Sequence, residues 1–269
     1  MPLAVIGAGK MARAIVQGLL QNKDSTPGII TGTGRSQATR EAFLALDQGG
    51  KLQWSDSIPE AVAHASVVLI AVKPAQIQAL LPEIARAPHE ALIISVAAGI
   101  PLKTLEARLG LGRPIVRAMP NTPLMVGAGA TAYCGNNALT TAHRRTVESL
   151  FGSNGLIIPV SETQLDAVTA LSGSGPAFLA LILDHLIQSA VALGLEPGVA
   201  GPLALQTMLG TARLLQESGM TPQQLIAQVR SKGGTTEAGL NILQSGNLEA
   251  LLHQTLAAAA QRSRELADA

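Results

Sequence analysis

Cysteine and aromatic residues are scarce in this chain of 269 residues, and their scarcity excludes several classes of protein. The single cysteine, Cys134, cannot form an intramolecular disulfide, and no set of cysteines and histidines has the spacing of a structural zinc site. We therefore expect no bound metal and a reducing compartment, the cytoplasm. Aromatic residues make up only 2% of the chain, and the net charge of +1 comes from scattered lysines and arginines. Little is left for stacking on bases or attracting phosphates, so no nucleic acid partner is expected.

Long apolar runs are also lacking. Asp184 and His185 interrupt the longest candidate, so we expect no segment of the roughly 18 residues that span a membrane. Met1 and Pro2 lead directly into an apolar stretch, without the basic region and cleavage site of a signal peptide. These features predict a soluble protein that is not exported. The hydrophobic content of 47% is enough for a substantial core.

Short β-branched runs alternate with helical patterns in the first part of the chain. The pairs are 3–6 with 11–20, 29–31 with 36–46, 67–72 with 75–85, and 92–96 with 102–109. This alternation predicts right-handed crossovers and a doubly wound, parallel α/β sheet. Further strands are predicted at 115–117, 130–133 and 156–160, with a helix at 142–151.

The β-branched runs stop after about residue 160, and the remaining patterns are helical. The predicted helices are 162–171, 176–193, 197–217, 221–229, 235–244 and 248–266. We therefore expect a dinucleotide-binding domain at 1–160 and an all-helical domain at 161–269. The helices that begin at Pro176 and Pro197 are apolar on more than one face, which indicates burial between subunits and predicts an interwound dimer.

A glycine-rich turn follows the first predicted strand and opens the first predicted helix. Its residues are Gly7, Ala8, Gly9, Lys10, Met11 and Ala12. In such a loop the first glycine permits a tight turn, the second lets the backbone approach a pyrophosphate, and Ala12 allows close packing. The turn predicts a dinucleotide at the helix N-terminus. A glycine turn without a ligand is the alternative.

The end of the second predicted strand bears on the choice of cofactor. NAD-selective sites place an acidic residue there, and residues 31–36 contain none. Arg35, with Ser36 and Thr33, can instead hold a ribose 2′-phosphate through charge-assisted hydrogen bonds, which predicts NADP(H). A solvated loop arginine is the alternative. Gly32, Thr33 and Gly34 predict a flexible loop, so NADH stays open as a second cofactor.

Three more segments are predicted to contact the cofactor: Ala71-Val72-Lys73-Pro74, Ala97-Ala98 and the loop residue Asn121. Lys73 offers a cation at the carboxyl edge of the sheet, where ligands of open α/β sheets bind. The two alanines leave room for a flat ring, and flanking prolines fix the loop that presents Asn121. A surface lysine and a plain proline turn are the alternatives.

Two glycine-rich segments interrupt the helical part, LSGSGPAF at 171–178 and SKGGTTEA at 231–238. Glycine inside a helix costs roughly 1 kcal/mol relative to alanine. Glycines beside hydroxyl residues at two helix starts therefore indicate backbone amides turned toward an anion. Ordinary helix–helix turns are the alternative.

Taken together, six motifs resemble those of pyrroline-5-carboxylate reductases: GAGKMA at 7–12, AVKP at 71–74, SVAAGI at 95–100, RAMPNTP at 117–123, LSGSGPAF at 171–178 and SKGGTTEAGL at 231–240. The resemblance runs nearly end to end. It implies a Rossmann domain followed by an all-helical dimerisation domain, whose dimers often assemble into a ring of five, a homodecamer. It also implies reduction of the cyclic imine 1-pyrroline-5-carboxylate to L-proline by NADPH or NADH, the last step of proline biosynthesis.

The resemblance assigns the substrate carboxylate to Ser231, Gly233, Gly234, Thr235 and Thr236, and the role of proton donor to Thr236. Two residues depart from the family's pattern. Lys232 stands where proline is common, which loosens the loop and adds a cation near the anion. Phe178 stands where tyrosine is common.

Two rival functions stay open. One is an NADP-dependent imine reductase or β-hydroxyacid dehydrogenase that acts on another small substrate. Hydroxyacid enzymes rely on a catalytic lysine in the helical domain, and Lys232, the only lysine there, lies in the wrong kind of segment. The other rival is a noncatalytic NADP-binding sensor, which the intact hydroxyls of the substrate loop argue against.

Overall fold

The computed structural model of the chain describes residues 1–21, 28–47 and 49–267. Its first part is an eight-stranded sheet, with strands β1 (Leu3–Ile6), β2 (Ile30–Thr33), β3 (Leu52–Trp54), β4 (Val67–Ile70), β5 (Leu92–Ser95), β6 (Ile115–Met119), β7 (Gly129–Gly135) and β8 (Gly155–Pro159). The strand order is β3-β2-β1-β4-β5-β6-β7-β8, and all neighbours are parallel except β6 and β7. This is the doubly wound, Rossmann-type sheet that the sequence predicted, and its order reverses between β1 and β4.

Helices cover both faces of the sheet. They are α1 (Lys10–Gln21), α2 (Gln37–Leu44), α3 (Ile58–Val62), α4 (Pro74–Ile84), α5 (Leu102–Leu109) and α6 (Thr141–Gly152). Successive side chains of a strand point to opposite faces, so Val5 packs in one apolar cluster and Ile6 in the other. Because both faces are covered, the central strands are apolar throughout, as in other parallel sheets.

The sequence prediction missed β3 and α3, which have three and five residues. A turn centred on Asp47 leads into β3, since this carboxylate accepts hydrogen bonds from the amides of Gly49, Lys51 and Leu52. These bonds favour the ionised form and lower the pKa of Asp47. Elements this short carry too few residues for a period to be visible.

The flexible loop predicted at 32–34 is wrong for its first two residues. Gly32 and Thr33 lie in β2, where both are buried. A Cβ on Gly32 would lie 2.6 Å from Cε1 of Phe43, so glycine is present here because an aromatic ring of α2 packs directly on the strand. Only Gly34 belongs to the turn after the strand.

The second part is helical, as predicted, with α7 (Leu165–Val168), α8 (Gly175–Ala192), α9 (Pro197–Ser218), α10 (Pro222–Val229), α11 (Thr235–Ser245) and α12 (Leu248–Ala267). The single helix predicted at 162–171 is instead a 3₁₀ turn at Glu162–Gln164, then α7, then a π turn at Thr169–Gly173. A Cβ on Gly173 would lie 2.5 Å from Cε of Met119. The wider turn therefore occurs where the backbone meets a side chain of β6.

Packing divides the chain into two compact units. The first comprises residues 1–174 and the C-terminal segment that begins at Ala257, and the second is Gly175–Leu256. The first unit extends past residue 160 because Leu165 is buried in one of the sheet's clusters. Ser263 of α12 also belongs to it and donates a 2.7 Å hydrogen bond to Asp166.

The second unit exposes much apolar surface. Leu179, Leu181 and Leu186 of α8 are each more than half exposed. By length and composition alone, the continuous helical stretch Glu162–Ala192 could cross a membrane, so the expectation that Asp184 and His185 prevent this was wrong by that criterion. The stretch contains π and 3₁₀ turns.

Candidate active site

The glycine turn between β1 and α1 is built around backbone contacts. Gly7 has φ +89°, a conformation that side chains other than glycine rarely adopt, and a Cβ there would lie 2.6 Å from Cγ1 of Val72. The amides of Gly7 and Ala8 donate to the carbonyl of Thr33. Gly9 is different, because nothing lies within 4 Å of where its Cβ would be. The turn is thus tight at Gly7 and open at Gly9, at the start of α1.

A cavity of about 760 Å³ is lined in part by this turn. Eight of the predicted cofactor residues line it: Gly7, Ala8, Gly9, Arg35, Ser36, Ala71, Val72 and Lys73. They come from the carboxyl ends of β1, β2 and β4, which lie side by side across the reversal of strand order. The volume is in the range of known cofactor and ligand pockets. The open approach at Gly9 and the helix N-terminus beside it fit a pyrophosphate.

The end of the cavity that follows β2 carries the groups predicted to recognise a ribose phosphate. Arg35 is exposed there. The Ser36 hydroxyl accepts a 3.2 Å hydrogen bond from the amide of Thr39 and thereby caps α2. It also lies 2.8 Å from the Thr39 hydroxyl. Ser36 therefore has a structural role as well as the predicted contact, whereas the guanidinium of Arg35 forms no ion pair within the described part of the chain.

Asp56 lines the same cavity, and the sequence reasoning missed it. Its Oδ1 accepts a 2.8 Å hydrogen bond from Nε1 of Trp54, and its Oδ2 lies 3.7 Å from Nη1 of Arg40. Asp56 follows the missed strand β3, which pairs with β2 and so brings this carboxylate to the cavity that Arg35 also lines. Residues of α3 and α4 were missed for a similar reason, because their faces toward the cavity carry no motif: Ile58, Ala75, Gln76, Ala79, Leu80 and Glu83.

Six predicted cofactor residues do not line the cavity and stay predictions. Lys10, Met11 and Pro74 stand in the first turns of α1 and α4, and Ala97, Ala98 and Asn121 follow β5 and β6. Asn121 is buried, and its Oδ1 accepts a 2.8 Å hydrogen bond from the amide of Ala130. This contact ties the proline loop to β7 and is a structural reason for an asparagine at this position.

The motif RAMPNTP at 117–123, which begins in β6, also has a structural role. Arg117 is mostly buried and forms an ion pair with Glu162, whose Oε1 accepts a 2.8 Å hydrogen bond from the amide of Leu102. One carboxylate thereby links β6, the start of α5 and the 3₁₀ turn. Together with the contact between Met119 and Gly173, it fixes the segment that precedes α8.

The loop predicted to bind a substrate carboxylate lies in the second unit, before α11. Gly233 has φ +71°, and the amide of Gly234 donates to the carbonyl of Ser231. Gly234 is the N-cap of α11 and supplies no capping side chain. The first-turn amides of Thr235 and Thr236 therefore have no capping side chain from the N-cap residue, and Thr236 is half-buried.

Glu237 makes a side-chain contact in this loop that the sequence did not predict. Its Oε2 accepts a 2.8 Å hydrogen bond from the amide of Gly233. This amide is therefore occupied by a carboxylate of the chain itself. The spacing resembles a capping box, in which an acidic residue at the third helical position reaches back to the helix start.

The described residues offer neither a metal site nor a reactive thiol beside the nucleotide cavity or the loop before α11. Within the described residues, no three His, Cys, Asp or Glu side chains lie close enough to share a metal ion. Cys134 is buried in β7, and burial raises the pKa of its thiol to about 11. The thiol is therefore neutral and unreactive at physiological pH.

A Rossmann sheet with an open nucleotide cavity and a helical second unit defines the class of nicotinamide-dependent oxidoreductases. In agreement, residues 2–99 match the family described as NADP oxidoreductase, coenzyme F420-dependent, and residues 162–266 match pyrroline-5-carboxylate reductase dimerisation. The chain is 39% identical to the pyrroline-5-carboxylate reductase of Pseudomonas aeruginosa, over 99% of this chain and 97% of that one. It belongs to the pyrroline-5-carboxylate reductase family.

Solved structures agree with this assignment. A pyrroline-5-carboxylate reductase from Coxiella burnetii has a TM-score of 0.90 and 38% identity, covering 98% of this chain and 97% of that one. The Plasmodium falciparum enzyme, solved with NADP bound, has a TM-score of 0.85 and 29% identity over 99% and 98% of the two chains. The chain is therefore an oxidoreductase with the family's activity, the reduction of pyrroline-5-carboxylate in proline biosynthesis.

The match to a dimerisation domain explains the exposed leucines of the second unit. It covers α8 and α9, and the dimerisation family shows that the chain forms a homo-oligomer. The apolar stretch 162–192 lies within this match, and burial between subunits places the same demand on composition as burial in lipid.

Proposed function

We propose that this chain reduces 1-pyrroline-5-carboxylate to L-proline with NADPH as the preferred cofactor and NADH as a second one. The observation that carries the proposal is the cavity that joins the Gly7 turn to Arg35, in a chain similar to these reductases from end to end. When bound, the reduced nicotinamide supplies the hydride. The chain's own residues bind the cofactor and the imine and orient them for hydride transfer.

Arg35 is the main reason to prefer NADPH. It lines the cavity beside the N-terminus of α2, where a 2′-phosphate would meet both a guanidinium and the helix dipole. The Plasmodium falciparum relative, with NADP bound, also supports this preference. Lys10, Met11, Pro74, Ala97, Ala98 and Asn121 are proposed to complete the cofactor site.

The substrate carboxylate is proposed to bind at the start of α11. Ser231, Gly233, Gly234, Thr235 and Thr236 form this loop, and the uncapped amides of its first helical turn can donate to an anion. Because the Gly233 amide already donates to Glu237, the amides of Thr235 and Thr236 are the stronger candidates. Lys232 is exposed in the same loop and adds a positive charge.

The chemistry needs little acid–base machinery. A C=N carbon accepts hydride more readily when its nitrogen is protonated, so the site has only to bind the iminium, or help to form it, in the right orientation. Thr236 is proposed to hydrogen-bond the imine nitrogen and to relay a proton from water. A hydroxyl suffices for this role because the substrate nitrogen is itself basic.

The proposal also covers the division into domains, the assembly of subunits and the cellular location. Residues 1–160 would carry the cofactor and 161–269 the substrate loop and the dimer interface, and the start of the dimerisation match at residue 162 supports this division. The homo-oligomer is proposed to be built from dimers, as in the decamers that the family resemblance implies. The proposed location is the cytoplasm, in keeping with one buried, unpaired cysteine.

The test measures the loss of reduced-nicotinamide absorbance in the presence of purified protein. The imine 1-pyrroline-5-carboxylate is assayed with NADPH and then with NADH. The control for the rival activity is a β-hydroxyacid with NADP⁺, whose oxidation would raise the absorbance instead. Consumption with the imine, faster with NADPH, is expected. Turnover of only the hydroxyacid, or none with the imine while nucleotide binds, would refute the proposal.

A further inference from the structure

The phosphate end of the nucleotide cavity holds an anion as well as a cation. The carboxylate of Asp56 and the guanidinium of Arg35 line the same cavity, together with Gly34, Ser36 and Thr39. A 2′-phosphate placed beside Arg35 would therefore also face a carboxylate. The two side chains act in opposite directions on such a phosphate.

Asp56 is held in place by two groups from different elements. Trp54 donates its indole N–H to Oδ1 at 2.8 Å, and Arg40 of α2 lies 3.7 Å from Oδ2. The indole ring is itself fixed, since it packs against Phe43 at a centroid distance of 6.1 Å and lies 3.0 Å from where a Cβ of Gly34 would be. The carboxylate therefore keeps its place at the cavity edge.

A fixed carboxylate at this place discriminates between the two nicotinamide cofactors. It can accept a hydrogen bond from the 2′-hydroxyl of NADH, and it repels the 2′-phosphate of NADPH. NAD-selective Rossmann sites place their acidic residue after the second strand, and here it follows β3, the direct neighbour of β2 at the same sheet edge. The Asp56 side chain is 80% exposed, so solvent screens its effect and leaves the repulsion moderate.

We propose that Asp56 is a cofactor-specificity residue that lowers the preference for NADPH over NADH and keeps NADH usable. This inference rests on the proposed function, because it assumes that both cofactors bind in this cavity. Arg35 favours the phosphate, Asp56 opposes it, and the ratio of the two activities follows from their balance. Arg40 belongs to the same balance, since it neutralises part of the charge of Asp56.

The test is the substitution Asp56→Asn. Asparagine keeps an oxygen that can accept the Trp54 hydrogen bond and removes only the charge. The ratio of kcat/KM with NADPH to kcat/KM with NADH is expected to rise about tenfold at low ionic strength, which corresponds to about 1.4 kcal/mol. The increase should shrink at high ionic strength because salt screens the repulsion. The KM for the imine should stay unchanged.

Glu60→Gln is the matched control. Glu60 lies four residues further along, in the first turn of α3, and does not line the nucleotide cavity. Its substitution makes the same change in net charge in the same region. An equal rise of the ratio in Glu60→Gln would show a general charge effect and overturn the proposal. An unchanged or lower ratio in Asp56→Asn would overturn it as well.

Direct binding separates this proposal from the proposed function. Trp54 is the only tryptophan of the chain and touches Asp56, so its fluorescence reports nucleotide binding at this end of the cavity. Titration of both variants with NADPH and NADH gives the same ratio without any substrate. Should the imine not turn over, the proposed function fails, while a tenfold change in the ratio of the NADPH and NADH dissociation constants in Asp56→Asn, in favour of NADPH, still upholds the role of Asp56.

Discussion

The contrast between Gly7 and Gly9 leads to a pair of substitutions that separate folding from cofactor binding. Alanine at position 7 would have to keep φ near +89°, which costs about 1–2 kcal/mol for a residue with a Cβ. Its Cβ would also lie 2.6 Å from Cγ1 of Val72 and 3.1 Å from the carbonyl oxygen of Ala71. The second neighbour is backbone of the segment after β4 and cannot rotate away. Overpacking of this kind costs about 1–3 kcal/mol.

Gly7→Ala should therefore destabilise the protein by about 2–5 kcal/mol, the sum of these two terms. Gly9→Ala is the control, since no heavy atom lies within 4 Å of the new Cβ and the residue has no positive φ. Its stability should stay within about 0.5 kcal/mol of the unchanged protein. The added methyl group projects where the pyrophosphate would approach, so the KM for NADPH should rise at least about tenfold, equivalent to 1.4 kcal/mol.

The assay is urea unfolding followed by far-ultraviolet circular dichroism, at one fixed subunit concentration because the stability of an oligomer depends on it. Initial rates over a range of NADPH concentrations give the KM. Equal destabilisation by the two alanines would refute the argument that Gly7 alone is sterically required. A Gly9→Ala protein with an unchanged KM for NADPH would refute the placement of the pyrophosphate.

Three further predictions concern the substrate loop and the buried thiol. Thr236→Ala should lower kcat/KM for the imine by about ten- to a hundredfold, since its hydrogen bond to the imine nitrogen is worth roughly 1.5–3 kcal/mol. An unchanged value in initial-rate kinetics would remove Thr236 from the mechanism. Glu237→Ala should raise the KM for the imine about fivefold because the loop loses the hydrogen bond that holds Gly233 in place, whereas Glu237→Gln keeps an acceptor and should stay near the unchanged value. Equal effects of the two would contradict this role. Because burial raises the pKa of Cys134 from 9.0 to about 11, its contribution to stability is fully present below pH 9 and is lost as the pH rises toward 11. Cys134→Ala should therefore reduce the fall in stability across this range in urea unfolding, and identical pH profiles would count against the burial argument.

Most of the fold could be predicted because its strands and helices are long or sharply bounded. The predicted and observed bounds agree at Leu3–Ile6 and Leu102–Leu109. At both elements the apolar pattern has sharply defined ends. Elements held by tertiary contacts could not be predicted in the same way. The strand Leu52–Trp54 forms because it pairs with β2, and the π turn Thr169–Gly173 accommodates a close contact with Met119. Neither cause is visible in the local sequence.

The candidate site shows the same division. The turn at Gly7 could be predicted because glycine spacing reports what the backbone must do. Asp56 could not, since it reaches the cavity through strand pairing. The Gly233 amide was expected to face a substrate, and its contact with Glu237 became visible only with side chains in place. Function was predictable from motifs, while the pairing of Asp56 with Arg35 along one cavity required the structure.

The second unit shows that a sequence can also predict packing that one copy of the chain cannot provide. Five leucines of α8 and α9 are more than half exposed in the single chain: Leu179, Leu181, Leu186, Leu203 and Leu205. Burying the rest of one such side chain is worth about 1 kcal/mol, so these five alone represent about 5 kcal/mol per subunit. That is comparable to the whole net stability of a typical domain, about 5–15 kcal/mol. Helices that are apolar on more than one face are therefore better matched to an assembled oligomer than to a single copy of the chain.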